Sequence, residues 1–292
     1  MNVPAFAYLR AKSLEDACTL LLEHGNEGKV LAGGTDLLVK MKHRRLTPSY
    51  LVNLKGIAGL DYIRHDQEGG LRVGPLATIE SVKRSVDVRK KYPVLHQAAA
   101  YMATVAIRNR ATLVGNICNG SPSAETAPSL IVLGAKVRIV GPEGERIVPV
   151  EDFFAGPSRT VLGPGEIVAE IQVPEPPSGS AGVYEKHSLR RMDVAMVGVA
   201  ALITPAGDTC GDIKIVLSAV APTPIRARKA EDVLRGHVPT EDLIGEAARA
   251  AAAESRPITD IRGSAESRKN IVEALTGQVV RQALRAAKLG VG

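Results

Sequence analysis

The stretch KVLAGGTDLLVKMK, from Lys29 to Lys42, sets two adjacent glycines between an apolar strand-like segment and an apolar helix-like one. Glycine lacks a Cβ, so Gly33 and Gly34 leave the backbone free to turn and open to close approach. Consecutive N–H groups in such a turn can face one point and bind an anion, helped by the start of the following helix. Ala32 precedes the pair, Thr35 adds a hydroxyl donor, and Asp36 offers a capping carboxylate. The same residues also read as a plain strand-to-helix turn, because short glycine motifs recur without any ligand. Under either reading, the strand at Val30 and Leu31, the helix DLLVKMKHRR and the returning strand SYLVNL (Ser49 to Leu54) predict a small βαβ-like unit.

A second glycine- and proline-bearing stretch, TLVGNICNGSPSAETAP, runs from Thr112 to Pro128. Thr112, Gly115, Asn116, Asn119, Ser121 and Glu125 lie there between two apolar segments. Gly115 permits close backbone approach, and Asn116 carries both a donor and an acceptor. Pro122 and Pro128 are expected to stiffen the stretch against helix formation. It reads equally as an irregular surface loop rich in turn formers. Neither GxGxxG nor GxxxxGK[ST] occurs, which excludes the Rossmann and P-loop nucleotide sites.

Elsewhere Ser13-Leu-Glu-Asp16 resembles a capping box ahead of ACTLLLEHG, with Gly25 at the helix end. LRVGP predicts a strand, Thr78 opens a helix toward Lys90, and Pro93 to Ala103 forms another helix. AKVRIV, the turn GPEGE and RIVPV predict a hairpin, and Ile167 to Val173 a further strand. VPEPPSGSAG, Val173 to Gly182, is the best linker in the chain. Strands at VYEKHS, AMVGVAALIT and IKIVLSAV follow. The helices RARKAEDVLRG, EDLIGEAARAAAAES and SRKNIVEALTGQVVRQALRAAK come last, an α+β order.

The 292 residues suffice for two or three domains. A net charge of +6 is spread along the chain, apart from KMKHRR and RARK, and no nucleic-acid motif accompanies it. Cys18, Cys118 and Cys210 lie far apart, so neither a disulfide framework nor an iron–sulfur or zinc site is expected in this chain. The six histidines lack ligand spacing, and no metal site is expected. The N-terminus lacks the apolar core of a signal peptide and no run approaches transmembrane length, so a cytoplasmic protein is expected. With three Phe, six Tyr and no Trp, a ligand site must rely on backbone, aliphatic and polar contacts.

Together AGGTDLLVKMK and ATLVGNICNGSPSAETAP resemble the FAD-binding subunit of the molybdenum hydroxylases. That family includes xanthine dehydrogenase, aerobic carbon monoxide dehydrogenase and aldehyde- and N-heterocycle-oxidising relatives. Its patterns are approximately AGGTDL…MK and T.GGN…SP..D. The resemblance extends through RNRAT, EIVAEIQVP, YEKHSLRRMDVAMVGVAA and VLSAVAPTPIRARKAEDVL, and so covers nearly the whole chain. It implies an α+β fold: a two-part FAD-binding domain of the vanillyl-alcohol-oxidase/PCMH type, then an α+β C-terminal domain with an antiparallel sheet and helices. The implied boundaries are 1–54, 55–176 and 177–292.

Carried over by position, the resemblance implies that Ala32, Gly33, Gly34, Thr35 and Asp36 wrap the FAD pyrophosphate, flanked by Val30, Leu31 and Leu37. Thr112, Gly115 and Asn116, with Asn119 beyond them, form the second cofactor loop. Glu125 stands where a usual aspartate contacts the polyol region, Val168 where an aliphatic residue touches the flavin, and Lys186 where a lysine approaches it. Met102 holds a position that is aromatic in some relatives. Lys186 has a second reading, pairing with Glu185 or Asp193 at the surface. Arg190 and Arg191 serve the same pocket or face solvent, and Cys118 reads as an apolar filler.

Val114 replaces the first glycine of the usual GGN, and Glu125 is one methylene longer than aspartate; FAD binding is expected to persist. The resemblance further implies a large molybdenum-cofactor (molybdopterin) subunit and a small subunit with two-iron two-sulfur clusters, in a dimer of heterotrimers. Electrons would reach this FAD from the clusters and leave to an external acceptor such as NAD, a quinone or dioxygen. No residue of this chain is expected to be catalytic. AGGTD, against the AGGHS or AGGQS of carbon monoxide dehydrogenases, leans toward xanthine-, aldehyde- or heterocycle-type complexes. Two other readings stay open at this stage: a stand-alone FAD oxidoreductase, and a flavin-free assembly module.

Overall fold

The computed structural model describes residues 3–66 and 68–292. Strand β1 (Ala7–Arg10) leads into helix α1 (Leu14–His24), which starts where the Ser13 hydroxyl accepts the Asp16 N–H at 3.1 Å and ends at Gly25, φ 50°. Strand β2 (Gly28–Leu31), helix α2 (Leu37–Lys42) and strand β3 (Tyr50–Asn53) follow. β3 lies between β1 and β2 and runs parallel to both, so the βαβ-like unit forms with β1 as a third strand. Patterning does not reveal β1, because three of its four residues are exposed and no apolar alternation marks it. Asp36 does not cap α2. It is itself helical, at φ −95° and ψ −46°, because the first turn already closes from the Leu38 N–H to the Gly34 carbonyl.

The middle of the chain begins with the hairpin β4 (Ile63–Asp66) and β5 (Gly70–Val73). Six helices come next: α3 (Ile79–Arg84), α4 (Val86–Lys91), α5 (Pro93–Tyr101), α6 (Val105–Arg108), α7 (Leu113–Cys118) and α8 (Thr126–Val132). Strands β6 (Lys136–Gly141) and β7 (Gly144–Pro149), the short hairpin β8 (Phe154–Gly156) and β9 (Arg159–Thr160), and β10 (Ile167–Val173) complete this part. β10 enters between β5 and β6, giving an antiparallel sheet in the order β4-β5-β10-β6-β7.

Two expectations fail here for local reasons. The helix from Thr78 toward Lys90 is broken, because Ser85 leaves helical geometry (φ −59°, ψ 128°) and its hydroxyl caps the Val88 N–H. The stretch from Thr112 to Pro128 is about half helical: α7 and the start of α8 flank the non-helical residues 119–125, which hold Pro122. Pro128 is the third residue of α8, where a missing N–H costs no intrahelical bond.

After the linker come β11 (Ala181–His187), β12 (Val197–Ala206), β13 (Thr209–Ser218) and β14 (Ile225–Arg226), an antiparallel sheet in that order. Helices α9 (Arg228–Leu234), α10 (Glu241–Glu254) and α11 (Ala265–Ala286) close the chain. The sheet is buried on both faces. Tyr184, Ala200, Leu202 and Val216 join the core of α3–α8 and the middle sheet. Val199, Ala201, Ile213 and Ile215 meet Leu234, Ile244, Ala247 and Val280 of the helices. This explains why β12 begins with seven consecutive buried residues instead of alternating. No described helix is long and apolar enough to cross a membrane.

Candidate functional site

The glycine pair has two separate causes. Gly34 sits at φ 74°, a conformation that side chains resist. Gly33 is needed for space: a Cβ there would lie 2.2 Å from the Arg110 carbonyl oxygen and 3.0 Å from the Ala111 Cα. The AGGTD loop therefore rests on RNRAT of the middle unit, and the nearest thing to Gly33 is the chain's own backbone. Leu31, Leu37, Met41 and Leu51 pack beneath the loop, while Val30 turns to the cluster under α1.

Among the described residues, no acceptor bonds the backbone N–H groups of residues 32 to 36. Ala32, Gly33, Gly34 and Thr35 are half-buried. Leaving such donors unpaired costs about 1–3 kcal/mol each where they are buried, so a run of them favours an anion.

The second loop meets the first through a polar bridge. Lys40 of α2 donates from Nζ to Asn119 Oδ1, at the end of α7, at 2.6 Å. Thr112 caps α7 by accepting the Gly115 N–H at 2.9 Å, and a Cβ on Gly115 would fall 2.8 Å from that hydroxyl oxygen. Gly115 thus protects the cap from inside a helix. Asn116 Oδ1 accepts from the Thr126 hydroxyl at 2.6 Å, tying α7 to α8. Val114, which replaces the first glycine of GGN, turns its side chain into the core. Burial pushes the Cys118 thiol up to about 12, so it stays protonated, and it packs against the same core as an apolar filler.

Glu125 and Lys186 form a buried ion pair, with side chains 8% and 1% exposed. Lys186 also donates to the Asp193 backbone carbonyl at 2.8 Å, so it is not paired with a surface carboxylate. Burial pushes the Glu125 carboxyl above the usual carboxylate range, and the Lys186 charge opposes that shift. Beside the pair lies a cleft of about 220 Å³ lined by Tyr101, Lys186, His187, Ser188 and Arg191. The Arg191 guanidinium stands 5.5 Å over the Tyr101 ring, and Arg190 is exposed.

Met102 does not line this cleft; it is 5% exposed within the core. Its neighbour Tyr101, which the motifs did not flag, brings an aromatic face there, edge-on to Tyr184 at 6.3 Å. The signal was the adjacent aromatic in AAAYMA, one residue earlier. Val168 is also interior, 1% exposed on β10. Lys40, inside AGGTDLLVKMK, is a second such residue: sequence pattern gives it no role, and only the fold brings it to Asn119.

Lys40 thus bridges the glycine loop to α7, and the Glu125–Lys186 pair ties the start of α8 to the cleft. Residues 4–176 match the family described as FAD binding domain in molybdopterin dehydrogenase, and residues 182–283 match CO dehydrogenase flavoprotein C-terminal domain. The chain belongs to the FAD-binding subunits of the molybdenum hydroxylases and is an oxidoreductase subunit. It is 36% identical to the carbon monoxide dehydrogenase medium chain of Hydrogenophaga pseudoflava, over 98% of each chain. It is 31% identical to the putative xanthine dehydrogenase FAD-binding subunit of Escherichia coli (strain K12), over 96% of this chain and 97% of that one.

The solved structure of the Hydrogenophaga pseudoflava carbon monoxide dehydrogenase lacking the Mo-pyranopterin moiety superposes with a TM-score of 0.95 at 33% identity, covering 98% of this chain and 99% of that one. Quinoline 2-oxidoreductase from Pseudomonas putida 86 superposes at 0.93 with 32% identity, covering 98% and 99%. The α+β fold expected from the motifs is thus the fold of this family. The residues present fit its cofactor: the N–H groups of residues 32 to 36 have no acceptor among the described residues, and a pyrophosphate accepts from donors of this kind.

Proposed function

We propose that this chain is the FAD-carrying electron-transfer subunit of a multi-subunit molybdenum hydroxylase. The observation that carries this reading is the run of unpartnered N–H groups from Ala32 to Asp36, seated on Arg110–Ala111 inside the FAD-binding family domain. Bound FAD would supply two-electron chemistry linked to single-electron carriers. The chain's own residues bind and orient. The AGGTD donors take the pyrophosphate, with Leu31 and Leu37 supporting the loop and Val30 anchoring its strand to α1. Thr112, Gly115, Asn116 and Asn119 hold the second loop in shape. Lys186, in its pair with Glu125, and the face of Tyr101 would bound the flavin end, while Val168 backs the site from the core.

Relatives named for carbon monoxide, xanthine, glyceraldehyde, nicotine and caffeine lie between 29% and 36% identity over nearly their full length. Such even similarity across unlike substrates supports a shared electron-transfer role, with the substrate bound in another chain. The partners are a large molybdenum-cofactor subunit and a small iron–sulfur subunit, assembled as a dimer of heterotrimers. The clusters belong to the small partner. Electrons leave to NAD, a quinone or dioxygen, and the complex works in the cytoplasm. AGGTD leans toward the xanthine-, aldehyde- and heterocycle-oxidising complexes. Units 1–54 and 55–176 bind FAD between them, and 177–292 closes the flavin end.

The test is to purify the chain with its co-expressed partners, record visible absorption, and release and identify the flavin. One FAD per chain, with molybdenum and iron in the same complex, is expected. A complex whose FAD belongs to another chain would refute the assignment. FAD without partners would favour a stand-alone oxidoreductase.

A further inference from the structure

The pair Glu125–Lys186 joins the FAD-binding part of the chain to the C-terminal sheet, since Glu125 stands at the start of α8 and Lys186 on β11. Strand register puts Lys186, Gly198 and Ser218 in one row across β11, β12 and β13. Gly198 gives its space to these neighbours: a Cβ there would lie 2.4 Å from Ser218 Oγ and 3.2 Å from the Tyr184 hydroxyl oxygen. Both hydroxyls are buried and neither has a hydrogen-bond partner among the described residues. The row is therefore packed with polar side chains. Within it Lys186 meets one carboxylate, that of Glu125, while Asp193 offers only its backbone carbonyl. Glu185, the adjacent residue along β11, bears on the Tyr101 hydroxyl at the same cleft and makes no ion pair with Lys186 among the described residues.

We propose that Glu125 is the positioning residue for Lys186: it supplies the counter-charge that holds the lysine at the cleft with Tyr101 and Arg191, so that the bound flavin faces a neutral pair rather than a free cation. The longer side chain in place of aspartate then serves reach. It spans from α8 to the sheet, instead of contacting the cofactor's polyol. The inference rests on the FAD reading above. Tyr184 and Ser218 carry no charge near neutral pH, so removing the Glu125 charge leaves Lys186 without a carboxylate in direct contact.

The experiment is a redox titration of the flavin in the purified complex for the native chain, Glu125→Gln, and the double variant Glu125→Gln with Lys186→Met, with FAD content measured for each. Glu125→Gln is expected to keep its FAD and to shift the flavin potential upward, because an uncompensated cation favours the electron-loaded flavin. The double variant, neutral again, is expected to return toward the native potential. An unchanged potential in Glu125→Gln, or lost FAD with an unchanged potential in what remains, overturns the inference, since Glu125 then serves the cofactor directly or not at all. If Glu125→Gln does not fold, Glu125→Asp replaces it; loosening the pair should move the potential the same way by less, and no movement overturns the proposal. A native complex with no FAD on this chain sinks the flavin reading itself, a result separable from both.

Discussion

Replacing Gly33 with alanine adds one carbon at the point where the glycine loop rests on the middle unit. That carbon would lie 2.2 Å from the Arg110 carbonyl oxygen and 2.9 Å from its carbon. Non-bonded heavy atoms settle near 3.5 Å, so loop and RNRAT must part by about 1 Å. The obstacle is backbone, which cannot swing aside as a side-chain tip can. Overpacking of this kind costs about 1–3 kcal/mol. Spread onto the site, it weakens FAD binding by about 5- to 150-fold, at 1.4 kcal/mol per tenfold.

Two measurements are needed: FAD affinity by fluorescence titration, and urea unfolding of the FAD-free chain. Gly33→Ala should lower both, because the clash exists before any ligand arrives. Gly33→Val should do so more severely. Gly34→Ala separates the two causes, since it strains φ 74° for about 1–2 kcal/mol and meets side-chain carbons of Leu31 and Leu38 rather than backbone. If Gly33→Ala binds FAD within about twofold of native and unfolds at the native urea midpoint, the spacing argument is wrong.

Two more predictions test the supports of the site. Glu80 is held at about 2, chiefly by its hydrogen bond from Arg108, with Arg84 adding to it. Its folded pKa lies below the ordinary 4.5, so the pair stabilises the chain above that value and the contribution fades as pH falls from 4.5 to about 2. Because Arg84 and Lys83 remain beside Glu80, Arg108→Met should cost about 1–3 kcal/mol near neutral pH and reduce that acid dependence, read by thermal unfolding across the range; an unaltered acid profile would count against the pair. Arg108 also donates to the Met102 and Ala103 carbonyls, so the turn carrying Tyr101 should loosen with it. Lys40→Met breaks the 2.6 Å bond to Asn119 and should cost about 1–2 kcal/mol, with FAD binding weakened no more than about tenfold. Combining it with Asn119→Ala should cost no more than either alone; additive losses would mean that the two residues act separately.

Features governed by neighbours in the chain were legible in advance. Ser13 caps α1 through an N–H three residues away, and Gly25 ends the same helix. The hairpin of β6 and β7 and the span of β10 follow from their turn residues and apolar runs. The failures also have local causes that composition does not weigh. Average residue preferences do not place Ser85 and Pro128, because a capping hydroxyl splits one helix and a first-turn position admits proline into another. β1 carries too little buried apolar surface to register.

By itself the sequence determined that a strand and a helix meet at Gly33 and Gly34, that the α+β order closes with an antiparallel sheet and helices, and that the motifs are those of an FAD-binding family. Only the tertiary structure decided which groups meet. Lys40 reaches Asn119 across 79 positions, and Lys186 reaches Glu125 across 61. It also decided that Gly33 yields space to Arg110 and that Tyr101, rather than Met102, faces the cleft. The reason is physical: turns, caps and periodicity depend on a few adjacent residues, whereas close approach and ion pairing depend on how separate elements pack. That packing is set by the whole core.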